Sequence, residues 1–283
     1  MDANFIYEQG DSLMEWKNIY RGLLMGATDV IPGISGGTIA LLLGIYERLI
    51  DAINGFFSKD WKKQLGFLVP LGIGMVTAIF LFANIIEWLF MYYPGPTKFF
   101  FLGLILGVLP YLLHKADAKN SFRMKHIGMM LIGVILVSVL GFASVGDGEV
   151  IADVTASTYV LLFVSGIIGS SAMILPGISG SFMLLVLGVY TTVISAISNF
   201  QFDIIIATGL GIALGFVIMS RIVGYFLNNH FTATFAATIG LVIGSVFVIL
   251  PGWPESLMLM FASIATFLSG LLTAYILGRI EYK

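Results

Sequence analysis

The sequence predicts an all-α polytopic membrane protein with two inverted repeats, each a re-entrant helical hairpin plus three transmembrane helices. Three observations support this fold class. Hydrophobic residues make up 58% of the 283 residues and charged residues only 11%, against roughly 45–50% and about 25% in soluble domains. Six predominantly apolar runs approach or exceed the length of about 20 residues that a spanning helix needs. The phrase PGISG occurs twice, at 32–36 and 176–180.

The elements follow one another in the same order in each half of the chain. Residues 1–16 are polar and acidic, which predicts an interfacial segment rather than a cleavable signal peptide. Repeat 1 covers residues 17–145, with a re-entrant hairpin at 19–54 and spans at 65–91, 98–114 and 124–143. Repeat 2 covers residues 146–283, with a hairpin at 158–198 and spans at 203–227, 232–250 and 256–278.

Direct comparison of the halves indicates an internal duplication. A shift of 144 residues places Gly22–Tyr46 on Gly166–Tyr190, and ten of these 25 positions are identical. The likeness continues more weakly, because GLILGVLP at 103–110 resembles GLVIGSVFVILP at 240–251. The unit that is duplicated is therefore a broken apolar region followed by three spans.

The distribution of Lys and Arg favours an inverted orientation of the second half. If each broken region enters and leaves by one face, each half crosses the membrane three times. Nearly all Lys and Arg then lie on or near the cytoplasmic side, as the positive-inside rule expects, with Lys98 outside and Arg221 within a span. If each region crosses once, both termini move outside with their basic residues. We therefore expect hairpins, each made of a short half-helix, a turn and a longer return, with both termini cytoplasmic.

The PGISG phrase combines residues that break a helix with residues that start one. Pro32 ends an incoming helix, and the glycines permit a tight turn. Ser35 is a natural N-cap for a helix that begins near Gly36. Because backbone N–H groups at a helix N-terminus bind anions, we expect both phrases to bind phosphate; the candidate residues are Ser35, Gly36, Gly37, Thr38, Ser179, Gly180 and Ser181. Paired broken segments are a pointer to a transporter's substrate site.

Three ionisable residues within or beside the apolar regions are further candidates, because charge inside a membrane needs a partner or a cavity. Asp29 lies three residues before Pro32, and poor solvation there favours the protonated carboxyl, so we expect it to couple transport to protons. Arg221 is expected to contact the substrate phosphate or Asp29, with a structural ion pair or snorkelling as the alternative. Arg48 is expected at the cytoplasmic mouth, binding a lipid headgroup or forming a local pair.

Several chemistries are excluded by the composition. The chain has no Cys, so disulfides, thiol catalysis and thiolate metal sites are absent, and its three His are scattered. No zinc, nucleotide or dinucleotide motif occurs. We therefore expect no catalytic residues, no metal and no cofactor. The net charge of −2 gives no reason to expect a nucleic acid partner.

The segment GATDVIPGISGGTIALLLGIYERLI at 26–50, together with the second PGISG and the GVY that follows it, resembles the bacterial polyprenyl-phosphate transporter family. The resemblance covers almost the whole chain. It implies a multi-pass protein of the bacterial cytoplasmic membrane that returns undecaprenyl phosphate, its lipid substrate, from the outer to the inner leaflet for reuse in peptidoglycan and other envelope polymers. It does not imply an oligomeric state.

Two other functions stay open at this point. Undecaprenyl-diphosphate phosphatases also combine inverted repeats with a Pro-Gly-x-Ser phrase, but theirs continues with an Arg and is accompanied by a pair of Glu residues. Here Gly36 and Gly180 follow the serines, and no Glu-x-x-x-Glu occurs. A transporter of another phosphate-bearing lipid or anion fits the same physical chemistry.

Overall fold

A computed structural model describes residues 14–29, 35–59, 61–142, 150–151, 153–252, 254 and 256–281. Within this part of the chain the regular structure is entirely helical, which confirms the all-α prediction. The helices are α1 (Asn18–Asp29), α2 (Gly36–Leu42), α3 (Tyr46–Phe56), α4 (Trp61–Tyr92), α5 (Pro94–Lys115), α6 (Ala118–Ser121), α7 (Met124–Phe142), α8 (Ala156–Ile174), α9 (Gly180–Val186), α10 (Tyr190–Ser198), α11 (Phe202–Asn229), α12 (Phe231–Ile249) and α13 (Leu257–Glu281).

Seven helices in the described part of the chain are long and apolar enough to cross a membrane, which confirms a polytopic membrane protein. Six of them, α4, α5, α7, α11, α12 and α13, lie over the six apolar runs of the sequence. The seventh is α8, with 19 residues. Most of the predicted interfacial segment 1–16 lies outside the described residues, although the Glu15 N–H donates to the Gly66 carbonyl at 2.8 Å.

The two broken regions have three helices each, where the sequence predicted a short half-helix and one longer return. The first is α1, α2 and α3, and the second is α8, α9 and α10. The longer return of each region is divided into two helices, because Gly44 (φ 66°) and Gly188 (φ 72°) take the left-handed conformation that ends a helix. In the second copy the resulting bend between α9 and α10 is 112°.

Helix packing repeats between the halves. Helix α1 packs on α4, and α8 packs on α11; across the halves, α5 packs on α13 and α12 on α7. Glycines make the crossings close: a Cβ on Gly103 would overlap the Phe267 carbonyl oxygen, and one on Gly240 would overlap that of Met130. Small residues at such crossings are typical of membrane helices. Equivalent helices of the two halves therefore pack on equivalent partners, which supports the duplication. The inversion of the second half stays a prediction.

The short helix of the first hairpin is more deeply buried than that of the second. All seven residues of α2 are buried, whereas α9 has no buried residue. The main core joins α2 to α5 and α12 through side chains such as Leu42, Ile105 and Ile239. In this structure the two equivalent hairpins therefore differ in how far they are enclosed by the rest of the protein.

Candidate functional site

Each PGISG phrase starts a short helix. Residues 30–34 lie outside the described part of the chain, so the predictions for Pro32 and Gly33 fall there; the second phrase is described in full. Leu175, before Pro176, has extended backbone angles (φ −76°, ψ 125°), as a residue before proline should. Helix α2 begins at Gly36, and the Ser35 Oγ accepts from the Gly37 N–H at 3.2 Å. The predicted N-cap is confirmed.

Asp29 is the last residue of α1, and its carboxylate lies at the N-terminus of α2. Its Oδ1 accepts a hydrogen bond from the Gly36 N–H at 2.6 Å. A Cβ on Gly36 would lie 2.7 Å from both carboxylate oxygens, so only glycine permits this approach. The Oδ2 atom is buried and has no hydrogen-bond partner within the described residues. One carboxylate oxygen thus accepts a hydrogen bond from the helix N-terminus, and the other has no donor among the described residues.

The backbone donors that the sequence assigned to phosphate in the first copy are engaged within the chain. Gly36 donates to Asp29, Gly37 to the Ser35 Oγ, and the Thr38 N–H to the Ser35 carbonyl at 2.9 Å. An anion at this helix end would have to displace the Asp29 carboxylate from Gly36.

The second copy lacks this internal carboxylate. Met173 stands where the first copy has Asp29, and it cannot accept the hydrogen bond. Across the described residues, the N–H groups of Gly180 and Ser181 have no hydrogen-bond partner. The Ser179 Oγ lies 2.9 Å from the Ser181 Oγ and 3.5 Å from the Phe182 nitrogen. The second helix end therefore offers donors that the first one uses internally.

The two hairpin tips contact each other through residues in or beside the two phrases. The Gly177 N–H donates to the Thr38 Oγ1 at 3.0 Å, and the Ser35 Oγ donates to the Leu175 carbonyl at 3.4 Å. The Tyr46 hydroxyl donates to the Ile174 carbonyl at 3.1 Å. Nothing in the sequence predicts the contact of Tyr46 with Ile174, although Tyr46 is one of the ten positions shared between the repeats. The tips of two hairpins that lie 144 residues apart in sequence thus form one structural unit.

A cavity of about 290 Å³ adjoins this unit. Asp29, Gly36 and Gly37 line the end of the cavity at the first hairpin tip. The rest of the lining is apolar and comes from α1, α3, α4, α8 and α11: Met25, Leu49, Ile50, Ile53, Phe56, Phe57, Leu68, Leu71, Gly72, Met75, Met173, Ile174 and Phe216. Asp29 is its one charged lining residue among those that the structure describes.

The two candidate arginines lie away from the tips. The Arg48 guanidinium donates to the Gln64 Oε1 at 2.7 Å and lies 3.5 Å from the Glu15 carboxylate. It also stacks over the Phe67 ring at 4.8 Å. The local interfacial pair that the sequence left as an alternative is therefore the observed arrangement. Glu47 forms a separate ion pair with Lys115 at 2.8 Å.

Arg221 is exposed on α11. Its neighbour Ser220 faces inward and donates to the Asn54 Oδ1 at 2.9 Å. The structure gives Arg221 no ion pair and no hydrogen bond with any described residue, so its predicted contact with Asp29 is not present. Its exposure agrees with the snorkelling alternative.

Comparison with known proteins gives a consistent assignment. The chain matches the undecaprenyl phosphate translocase-like family over residues 25–268. It is 44% identical over 274 residues to a polyprenyl-phosphate transporter of Staphylococcus aureus (strain NCTC 8325 / PS 47), covering 94% of this chain and 97% of that protein. It is 35% identical over 261 residues to a polyprenyl-phosphate transporter of Vibrio cholerae serotype O1, covering 86% of this chain and 80% of that protein. No solved structure matches it. Both relatives are named as transporters, not as enzymes, and the chain belongs to the undecaprenyl phosphate translocase-like family.

Proposed function

We propose that this protein transports undecaprenyl phosphate across the bacterial cytoplasmic membrane, from the outer to the inner leaflet. The family and the printed names of both relatives support polyprenyl phosphate as the substrate. The structural observation that carries the proposal is the contact between the two hairpin tips, where the Gly177 N–H donates to the Thr38 Oγ1. Broken helices that meet inside a membrane protein form substrate sites in many transporters.

The phosphate is held, in this proposal, by the helix ends at the two tips. The donors are the backbone N–H and hydroxyl groups of Ser35, Gly36, Gly37, Thr38, Ser179, Gly180 and Ser181. The N–H groups of Gly180 and Ser181, which have no partner among the described residues, can bind at once, whereas Asp29 must first release Gly36. The phosphate therefore meets the second tip first and the first tip after a rearrangement.

Asp29 supplies the coupling to protons. An ionised carboxylate on the Gly36 N–H competes with the phosphate for the same donor and repels it. Protonation removes the charge and weakens the hydrogen bond, because bonds to charged groups are roughly twice as strong as neutral ones. Proton uptake at Asp29 thus precedes phosphate binding at Gly36, and proton release restores the arrangement seen in this structure.

The two arginines act in this proposal as headgroup contacts at the protein surface. Arg221 is exposed and carries a charge that no described residue neutralises. Arg48 lies beside the start of α4 with Gln64 and Glu15. Both can bind a lipid phosphate before or after it reaches the tips.

The ion pairs support the predicted orientation, with both termini in the cytoplasm. Arg21 in α1 pairs with Glu281 at the end of α13, and Glu47 pairs with Lys115 at the end of α5. Residues that the charge rule assigns to the cytoplasmic side therefore meet in pairs at one end of the molecule.

Transport in proteoliposomes tests the proposal. Wild-type protein should move labelled undecaprenyl phosphate between leaflets, and Ser35→Ala should slow this movement. Ser269→Ala is the matched control, since Ser269 is exposed on α13 and its hydroxyl donates to the Thr266 carbonyl one helical turn away, at 2.7 Å. No movement above protein-free liposomes would contradict the proposal. Release of inorganic phosphate from undecaprenyl diphosphate would instead support the phosphatase alternative, and movement of other phosphate-bearing lipids at equal rates would support a broader transporter.

A further inference from the structure

The cavity beside the tips has a polar end and an apolar end. Asp29, Gly36 and Gly37 form the polar end. The cavity extends along α4 from Met75 to Leu68, a distance of about 10 Å at 1.5 Å per residue. Met75 lies beside Gly26, about one helical turn before Asp29, because a Cβ on Gly26 would overlap the Met75 backbone. The apolar part therefore runs from the tip toward the start of α4.

The apolar end reaches the protein surface. Phe56 and Phe57 line the cavity and are 40% and 43% exposed. Both precede the start of α4, so the opening lies at the end of the cavity away from Asp29. A ligand with one polar group and an apolar chain fits this cavity in one direction only, with its polar group at the tip and its chain toward the two phenylalanines.

The size of the cavity limits what it can hold. Its volume of about 290 Å³ lies at the lower limit of the roughly 300–1,000 Å³ of small-molecule pockets. A complete polyprenyl chain cannot fit, but the units next to the phosphate can. Three methionines and three phenylalanines line the cavity beside six leucines and isoleucines, and the flexible methionines can adapt to a branched, unsaturated chain.

We propose that this cavity binds the isoprenoid units next to the substrate phosphate, while the rest of the chain stays in the bilayer. The inference rests on the proposed function, since it takes the substrate to be a polyprenyl phosphate. It assigns chain recognition to α3 and α4, and it separates that recognition from phosphate binding at the tips.

Gly72 allows the cavity to be filled without disturbing the fold. It lines the cavity, and a Cβ at this position would have nothing within 4 Å. Leucine also favours a helix more than glycine does. Gly209→Leu on α11 is the matched control, because its Cβ is equally unobstructed and the residue does not line the cavity. Gly72→Leu should lower transport at least about tenfold, since its side chain displaces buried ligand carbons, and Gly209→Leu should leave it unchanged.

A binding measurement distinguishes this proposal from the proposed function. The chain has no Cys, so Ile53→Cys places one thiol in the cavity, and Ile197→Cys places one at the equivalent position of the second repeat, outside it. Farnesyl phosphate should protect the first thiol from a maleimide and not the second. Farnesol should protect it more weakly, and inorganic phosphate should not protect it. Adding Gly72→Leu should abolish the protection.

The outcomes separate cleanly. Protection at Ile53→Cys without transport of undecaprenyl phosphate would support the cavity and contradict the proposed function. Transport by the wild type, with no protection at Ile53→Cys or with full transport by Gly72→Leu, would overturn the cavity assignment and leave the proposed function standing.

Discussion

Replacement of Asp29 by Asn removes the carboxylate charge at the first hairpin tip and almost nothing else. The amide has the same size, and its oxygen can still accept the Gly36 N–H that now lies 2.6 Å from Oδ1. No Lys or Arg of the described chain lines the cavity at this point. Its lining neighbours Met25, Met75 and Met173 are apolar, so the perturbation is confined to one charge.

The expected magnitude follows from that hydrogen bond. A bond to a charged group contributes about 1.5–3 kcal/mol and a neutral one about 1 kcal/mol. If phosphate must displace the side chain at position 29 from the Gly36 N–H, the substitution reduces the free-energy cost of that displacement by about 1 kcal/mol. This corresponds to about fivefold tighter substrate binding, given that 1.4 kcal/mol is tenfold. Loss of repulsion between carboxylate and phosphate adds to this value, so fivefold is a lower bound.

Transport and binding of undecaprenyl phosphate between pH 5 and pH 8 form the assay. Wild-type transport should fall as pH rises, because ionised Asp29 holds Gly36, and Asp29→Asn should give a flat profile with tighter binding at high pH. Asp51→Asn on α3 is the control for net charge, since Asp51 is exposed and lies outside the cavity lining. An Asp29→Asn profile that follows the wild type, or weaker binding at high pH, would refute the reasoning.

Three further predictions follow from other contacts. Glu47→Lys and Lys115→Glu should each slow transport by breaking the 2.8 Å ion pair, and the double exchange should restore it; failure of rescue would exclude the pair as the cause. Gly103→Ile should lower the unfolding temperature, because its Cβ would overlap α13 and overpacking costs about 1–3 kcal/mol. Gly128→Ile should leave the unfolding temperature unchanged, because a Cβ at Gly128 has nothing within 4 Å. Equal effects of the two substitutions would contradict the packing argument. Arg221→Gln should raise the substrate concentration for half-maximal transport and spare the maximal rate; an unchanged value would remove Arg221 from headgroup binding.

The sequence predicted the helical elements well because each rests on local information. Apolar runs of spanning length marked the transmembrane helices, and Ser35 marked the start of α2 through its capping chemistry. The sequence did not predict the break that divides the returning part of each hairpin into two helices. Gly44 and Gly188 stand inside apolar stretches where glycine is often only a packing residue, and their positive φ angles appear only in three dimensions.

The positions of the charged candidates could be predicted less well. Whether Asp29 reaches Gly36 depends on the path of the turn between them, which residue spacing does not determine. Arg221 lies next to Ser220 in sequence but faces the opposite way. In a membrane helix both faces are apolar, so hydrophobic periodicity does not show which residues point inward. Glycines at crossings, such as Gly103 and Gly240, are the more useful guide.

A structure with bound undecaprenyl phosphate would test the central claim, that the two PGISG tips hold the substrate phosphate, most directly. We predict phosphate oxygens within hydrogen-bond distance of the backbone N–H groups of Gly180 and Ser181 or of Gly36, with the first isoprenoid units extending toward Phe57. When Gly36 is engaged, the Asp29 carboxyl should have moved away from it. A phosphate held only at the exposed face of α11 beside Arg221, with the Gly36–Asp29 hydrogen bond intact and both tips empty, would contradict the claim.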